Sequence, residues 1–204
     1  MRRKSKIIPM LYRYYKGLKR KLKTKRGAYK PYTSETSKVR HLVIDYCIGD
    51  GCDIGFGGDK IKKENCKGID YAYPYANTGS DKVDIACDVM NEPIPVDDNT
   101  FDYVYTSHLI EDFKDTAKAL KEFIRILKNG GNLILVFPDQ PQYEIYCRDH
   151  NQPTNKHHRH KTMGLNYMLK QLDALPGISY ELLFKSDCEI DYNVVMVLRI
   201  KKAA

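Results

Sequence analysis

The chain has 204 residues, 42% of them hydrophobic and 29% charged, with a net charge of +8. That length suits one domain with an appendage rather than two full domains, and no apolar run approaches the ~18 to 20 residues that span a bilayer, so no transmembrane helix is expected. Six cysteines without a C-x-x-C pair argue against a disulfide framework or a zinc knuckle, and no metal site is expected.

The charge is unevenly placed. Residues 1–40 hold fifteen Lys or Arg against one acid, Glu35, whereas the remainder has nineteen basic and twenty-five acidic residues. A basic arm therefore precedes a slightly acidic body. Within the arm, Ile7, Ile8, Leu11, Tyr15, Leu18 and Leu22 form one apolar stripe at helical spacing with Lys and Arg around it, which reads as a basic amphipathic helix. Pro9 fits its first turn, and Gly27 with Pro31 would stop it. Residues 1–38 are read as arm and linker, and 39–204 as the main domain. The arm suits a polyanion, either an anionic membrane surface or RNA, contacted through residues 1–30. The alternative is a solvated tail. Without an apolar leader and cleavage site, the expected location is the cytoplasm, free or peripheral at the inner face of a membrane.

A short helix over 38–48 should precede the Gly49-Asp50-Gly51 turn. Candidate strands then follow at 52–55, 67–71, 83–87, 103–107, 132–137, 179–185 and 193–200. Helical patterns fall at 115–128, with Ala117, Leu120, Phe123, Ile124 and Leu127 on one face, and near 164–174. This alternation predicts an α/β fold with a mostly parallel sheet covered on both faces, and the last two strands are close enough to form an antiparallel hairpin.

The loop Gly55-Phe56-Gly57-Gly58 follows the first strand, where glycines let backbone turn sharply and approach a ligand. In the dinucleotide pattern G-x-G-x-x-G the third glycine position falls on Lys60, which disfavours a pyrophosphate. Asp70 ends the second strand, where a carboxylate can accept from two ribose hydroxyls. Asp88 ends the third, where it can accept from an adenine amine beside the backbone N–H of Val89. The alternative is that both carboxylates cap turns. Three strand ends thus converge on one crevice, the usual ligand site of an open α/β sheet.

The stretches CDIGFGGDKI, GIDY, ACDV, PIPVDDNTFDYVYTSHLIEDF and ALKEFIRILKNGGNLILVFPD, in that order and spacing, resemble class I S-adenosylmethionine (SAM) dependent methyltransferases of the small methyltransferase-11 type. The resemblance covers roughly residues 50–140. It implies a Rossmann-like seven-stranded sheet with an antiparallel last strand, and SAM as cofactor. It further implies that Asp53, Gly55 and Gly57 cradle the methionyl part, Asp70 the ribose, and Asp88 and Val89 the adenine, with Ser107 and His108 facing the cofactor. Two departures stand out. The first helix is shortened to a turn around 59–65, and Glu111-Asp112 stands where relatives commonly carry Glu-His.

Methyl transfer is an in-line displacement in which holding the acceptor close supplies much of the catalysis. For a hydroxyl acceptor a base would add ~10² to 10⁴ in rate, and His108 is the first candidate, with a packing role as its alternative. The segment from Pro138 to Met163 reads as a long polar loop with four histidines, of which His158 and His160 are candidate acceptor contacts by resemblance. The first expectation is O-methylation of a glycan-type or other small-molecule acceptor. The alternatives are an RNA or protein methyltransferase guided by the arm, and a catalytically silent SAM-fold binding or scaffold protein.

Overall fold

The computed structural model describes residues 34–74 and 78–203. The expected arm helix lies outside the described residues. Thirteen elements fall in an α/β order: helix α1 (Glu35–Val43), a 3-10 turn (Ile44–Tyr46), strands β1 (Gly51–Ile54), β2 (Cys66–Asp70), β3 (Ile85–Ala86) and β4 (Phe101–Ser107), a 3-10 turn (Ile110–Asp112), helix α2 (Thr116–Ile126), strand β5 (Leu127–Pro138), helices α3 (Gln140–Asp149) and α4 (Leu165–Asp173), and strands β6 (Ile178–Ile190) and β7 (Asn193–Lys202). The seven strands make one sheet in the order β3-β2-β1-β4-β5-β7-β6. β1 to β5 run parallel and β7 runs antiparallel to both neighbours. The seven-stranded sheet with an antiparallel last strand, implied by the resemblance, is therefore the fold of this chain.

Strand alternation divides the core between the two faces of the sheet. Val104, Leu133, Leu135, Val194, Met196 and Leu198 point to one face, where they meet Leu120, Phe123 and Ile124 of α2 and Met168 and Leu172 of α4. Their neighbours Tyr103, Tyr105, Ile134, Val136, Val195 and Val197 point to the other, against Val39 and Val43 of α1. Both-face burial is why these strands read as continuous apolar runs. The six cysteines are free and five of them are buried; burial pushes the thiols of Cys47 and Cys66 up to about 12, which leaves them unreactive.

Three boundaries differ from those read in the sequence. Helix α1 starts at Glu35, inside the expected linker, because Ser34 caps it: its Oγ accepts from the Ser37 N–H at 3.0 Å while Ser37 Oγ accepts from the Ser34 N–H at 3.2 Å. Helix α2 ends at Ile126, and Leu127 is already extended and paired with Phe101 before the ladder resumes at Asn132. Residues 140–149, taken as loop, form α3. Asp139 caps it by accepting from Gln142 N–H at 3.1 Å, and Pro141 sits in its first turn.

Candidate functional site

The loop after β1 is held from below. Asp53 is fully buried, and its Oδ2 accepts the Ile61 N–H at 2.7 Å. Arg40 of α1 clamps the same segment, donating to Asp59 Oδ1 at 2.7 Å and to the carbonyls of Lys60 and Ile61. Lys60, at the absent third glycine, pairs with Asp84 at 3.0 Å. Gly57 and Gly58 accept on their carbonyls from Thr78 and Asp81. A Cβ on Gly79 would lie 2.1 Å from the Gly58 carbonyl oxygen, so these two glycines serve a close backbone approach. Gly55, with φ +72°, is the loop residue that lines the cleft above the sheet.

At the end of β2, Asp70 lines the cleft and accepts from Gly57 N–H at 3.0 Å and Tyr71 N–H at 2.7 Å. Burial pushes its carboxyl up while those two donors oppose the rise. Asp88 braces its own turn and the Tyr71 side chain. It accepts from the Tyr71 hydroxyl at 2.9 Å, the Asn91 amide at 2.9 Å and the Met90 N–H at 3.2 Å, and these bonds hold its carboxyl below the usual range. The residues that follow, Val89, Met90 and Asn91, line the cleft.

Past β4, His108 adopts φ +52° and sits within a knot of polar groups. Nε2 is 2.5 Å from Asn193 Oδ1, Nδ1 is 3.3 Å from Glu111 Oε1, and Glu35 Oε2 lies 3.7 Å from Nε2. Burial alone would lower its pKa, but Glu111, Glu35 and Asn193 together raise it to about 9. These partners favour the protonated form of the ring. Although burial pushes Glu35 up, the charges of His108 and Lys38 hold its carboxyl below the ordinary value.

Asp112 follows at the end of the 3-10 turn. It is 9% exposed, lines the cleft, and its Oδ1 is buried without a partner. Burial and the adjacent Glu111 push its carboxyl up to about 6, against the opposing charges of His157, Arg159 and His108.

The histidine segment is anchored rather than loose. Arg159 N–H donates to the Glu111 carbonyl at 2.9 Å. His158 turns inward: Nδ1–H donates to Gln140 Oε1 at 2.7 Å, the ring packs 4.7 Å from Tyr143, and burial lowers its pKa, leaving it neutral. His160 also turns inward, with Nε2–H donating to the Phe113 carbonyl at 2.7 Å and Nδ1 accepting from the Tyr167 hydroxyl at 3.1 Å. The alternate residues His157 and Arg159 face the cleft instead.

Gly55, Asp70, Val89 and His108 thus meet on one cleft of ≈ 680 Å³. Asp53, Gly57, Asp88, Ser107, His158 and His160 lie outside its lining, and the first two act by bracing the loop and Asp70. Sequence reasoning missed Tyr71, Asp112, His157 and Arg159. The signal for Asp112 was present as the departure from Glu-His. The cleft volume lies within the roughly 300 to 1,000 Å³ of small-molecule sites. A strand-end carboxylate with a glycine beside it fits a nucleoside cofactor.

Residues 51–135 match the profile of a family described as a methyltransferase domain. A demethylmenaquinone methyltransferase of Bacillus cereus is 26% identical over 126 residues, covering 55% of this chain and 53% of that protein. The chain spans about half the length of the curated relatives it matches. A SAM-dependent methyltransferase of Thermotoga maritima superposes with a TM-score of 0.58 at 23% identity over 93% of this chain and 97% of its own. Another, from Mesorhizobium loti, gives 0.56 at 11% identity over 81% and 98%. These superpositions extend the likeness in fold beyond the matched segment.

Proposed function

Residues 51–135 belong to the methyltransferase-11 domain family, with the class I SAM-dependent fold and hence SAM as cofactor; on that premise we propose that the protein methylates a hydroxyl of a glycan-type or other small-molecule acceptor. The observation that carries the reading is Asp70. Its carboxylate stands at the end of β2 on the cleft wall, braced by the N–H groups of Gly57 and Tyr71, with oxygen lone pairs left for a ribose diol. Gly55 and Val89 line the same cleft, one after β1 and the other after β3. When bound, SAM supplies a methyl carbon made electrophilic by its sulfonium. The residues of the chain then have to align the acceptor and keep water away. Lys114, Lys118 and Arg159 line the same cleft, and these cations favour an acceptor with acidic or polyhydroxylated character.

The arm enters this reading through its charge alone. Residues 1–30 would hold the protein at an anionic membrane surface, which suits enzymes acting on surface-polymer precursors.

Calorimetry with SAM on the purified protein tests the cofactor half, and absence of binding overturns it. A radiolabelled-methyl screen over glycans, nucleotides and RNA tests the acceptor half. Transfer to RNA favours the arm-guided alternative, and SAM binding without transfer to any acceptor favours a silent binding protein.

A further inference from the structure

We infer that Asp112 is the catalytic base that takes the proton of the acceptor hydroxyl. The inference rests on the methyl-transfer reading and names the residue that completes it.

The argument begins with an anomaly. Buried polar oxygens in folded proteins almost always have partners, and one without a partner calls for an explanation. Among the described residues, Asp112 combines a buried, unpartnered oxygen, Oδ1, with a place in the lining of the cleft. Other groups near the cleft are already committed. Both ring nitrogens of His108 are engaged by oxygens, of Asn193 and of Glu111. His158 and His160 are fixed by Gln140 and by the Phe113 carbonyl. Asp70 holds two backbone N–H groups. Glu111, 1% exposed, also has an unpartnered oxygen, Oε2, but it stays outside the lining, with Oε1 facing His108 and His158.

Asp112 also has the chemistry of a base poised near neutrality. The charged and titratable groups that face it are Glu111 on its own turn, His108 from the end of β4, and His157 and Arg159 from the segment anchored on the Glu111 carbonyl. Their balance with burial leaves the carboxyl titrating at about 6, ionised at neutral pH yet far more basic than a solvated aspartate. In the step, the O–H proton of the acceptor passes to the Asp112 carboxylate as the acceptor oxygen bonds to the methyl carbon. The C–S bond breaks with its electron pair kept by sulfur. The methyl ether, S-adenosylhomocysteine and a protonated Asp112 result, and Asp112 returns its proton to solvent.

The test uses Asp112→Asn and Asp112→Glu in the full chain, with S-adenosylhomocysteine as binding probe and catechol as hydroxyl probe. Both variants should bind S-adenosylhomocysteine within about threefold of the wild type. A wild type that does not bind it sinks the methyl-transfer reading itself. With binding intact, Asp112→Asn should lower kcat on catechol by roughly 10² with KM little changed, remove the acidic limb of the kcat/KM profile near pH 6, and be partly rescued by Asp112→Glu. Turnover within threefold of wild type, or an unchanged acidic limb, overturns the assignment. Carbon-13 NMR of the Asp112 carboxyl in the S-adenosylhomocysteine complex decides independently of turnover: a midpoint near 6 supports the base, and one in the ordinary aspartate range near 4 overturns it.

Discussion

Asn193, the first residue of β7, and His108, just past β4, meet at 2.5 Å between Oδ1 and Nε2. Because the Asn193 amide nitrogen donates to Glu35 Oε2 at 3.1 Å, its oxygen is the atom turned to the imidazole, and Nε2 must donate. With Nδ1 facing Glu111, the ring is placed to donate on both sides and joins α1, β4, β7 and the turn beside the cleft.

A histidine raised to about 9 from 6.5 stabilises the fold fully below its unfolded pKa of 6.5, and that contribution is lost as pH rises through 9. His108→Gln should therefore destabilise most in mild acid. The difference from wild type in urea unfolding should shrink by roughly 2 to 3 kcal/mol between about pH 6 and pH 10. A constant difference would mean that His108 is neutral in the folded state.

Asp70→Ala should weaken SAM by about 1.5 to 3 kcal/mol, the range for a hydrogen bond to a charged group. The variant also frees the Gly57 and Tyr71 N–H groups, so thermal unfolding must accompany the calorimetry. Unchanged affinity in a folded variant removes Asp70 from the site.

Gly79→Ala should be among the most damaging single-methyl additions. The new Cβ would meet the Gly58 carbonyl oxygen at 2.1 Å and its carbon at 2.6 Å, and both are main-chain atoms that cannot swing aside. A loss of roughly 1 to 3 kcal/mol is expected, together with weaker SAM binding because the glycine loop shifts. Wild-type stability in this variant would show that the two segments do not pack in solution.

Deleting residues 1–30 should leave the main fold and SAM affinity intact, since α1 carries its own cap at Ser34 and the site residues lie later in the chain. Salt-sensitive binding to anionic vesicles should disappear with the deletion. Vesicle flotation at low and high salt measures this, and equal binding by the truncated chain would place the anionic contact on the main domain.

The sequence by itself determined the sheet. Runs such as Asn132–Phe137 and Asn193–Ile200 are apolar on successive residues because both faces are covered, and Asp115 and Gly164 stand at the starts of α2 and α4, so strand and helix order is written locally. It also placed Gly55, Asp70, Val89 and His108 at strand ends, and all four line the cleft. The tertiary structure alone decided the surroundings of His108, because its partners Glu35 and Asn193 come from α1 and β7 and no local spacing brings them together. It also decided which histidine neighbours face the cleft. The direction of a side chain in irregular backbone is set by where that backbone is anchored, here at the Glu111 carbonyl, and not by any period. His157 and Arg159 thus look outward, His158 and His160 inward, and Asp112 is left as a buried carboxylate with an unpartnered oxygen at the cleft.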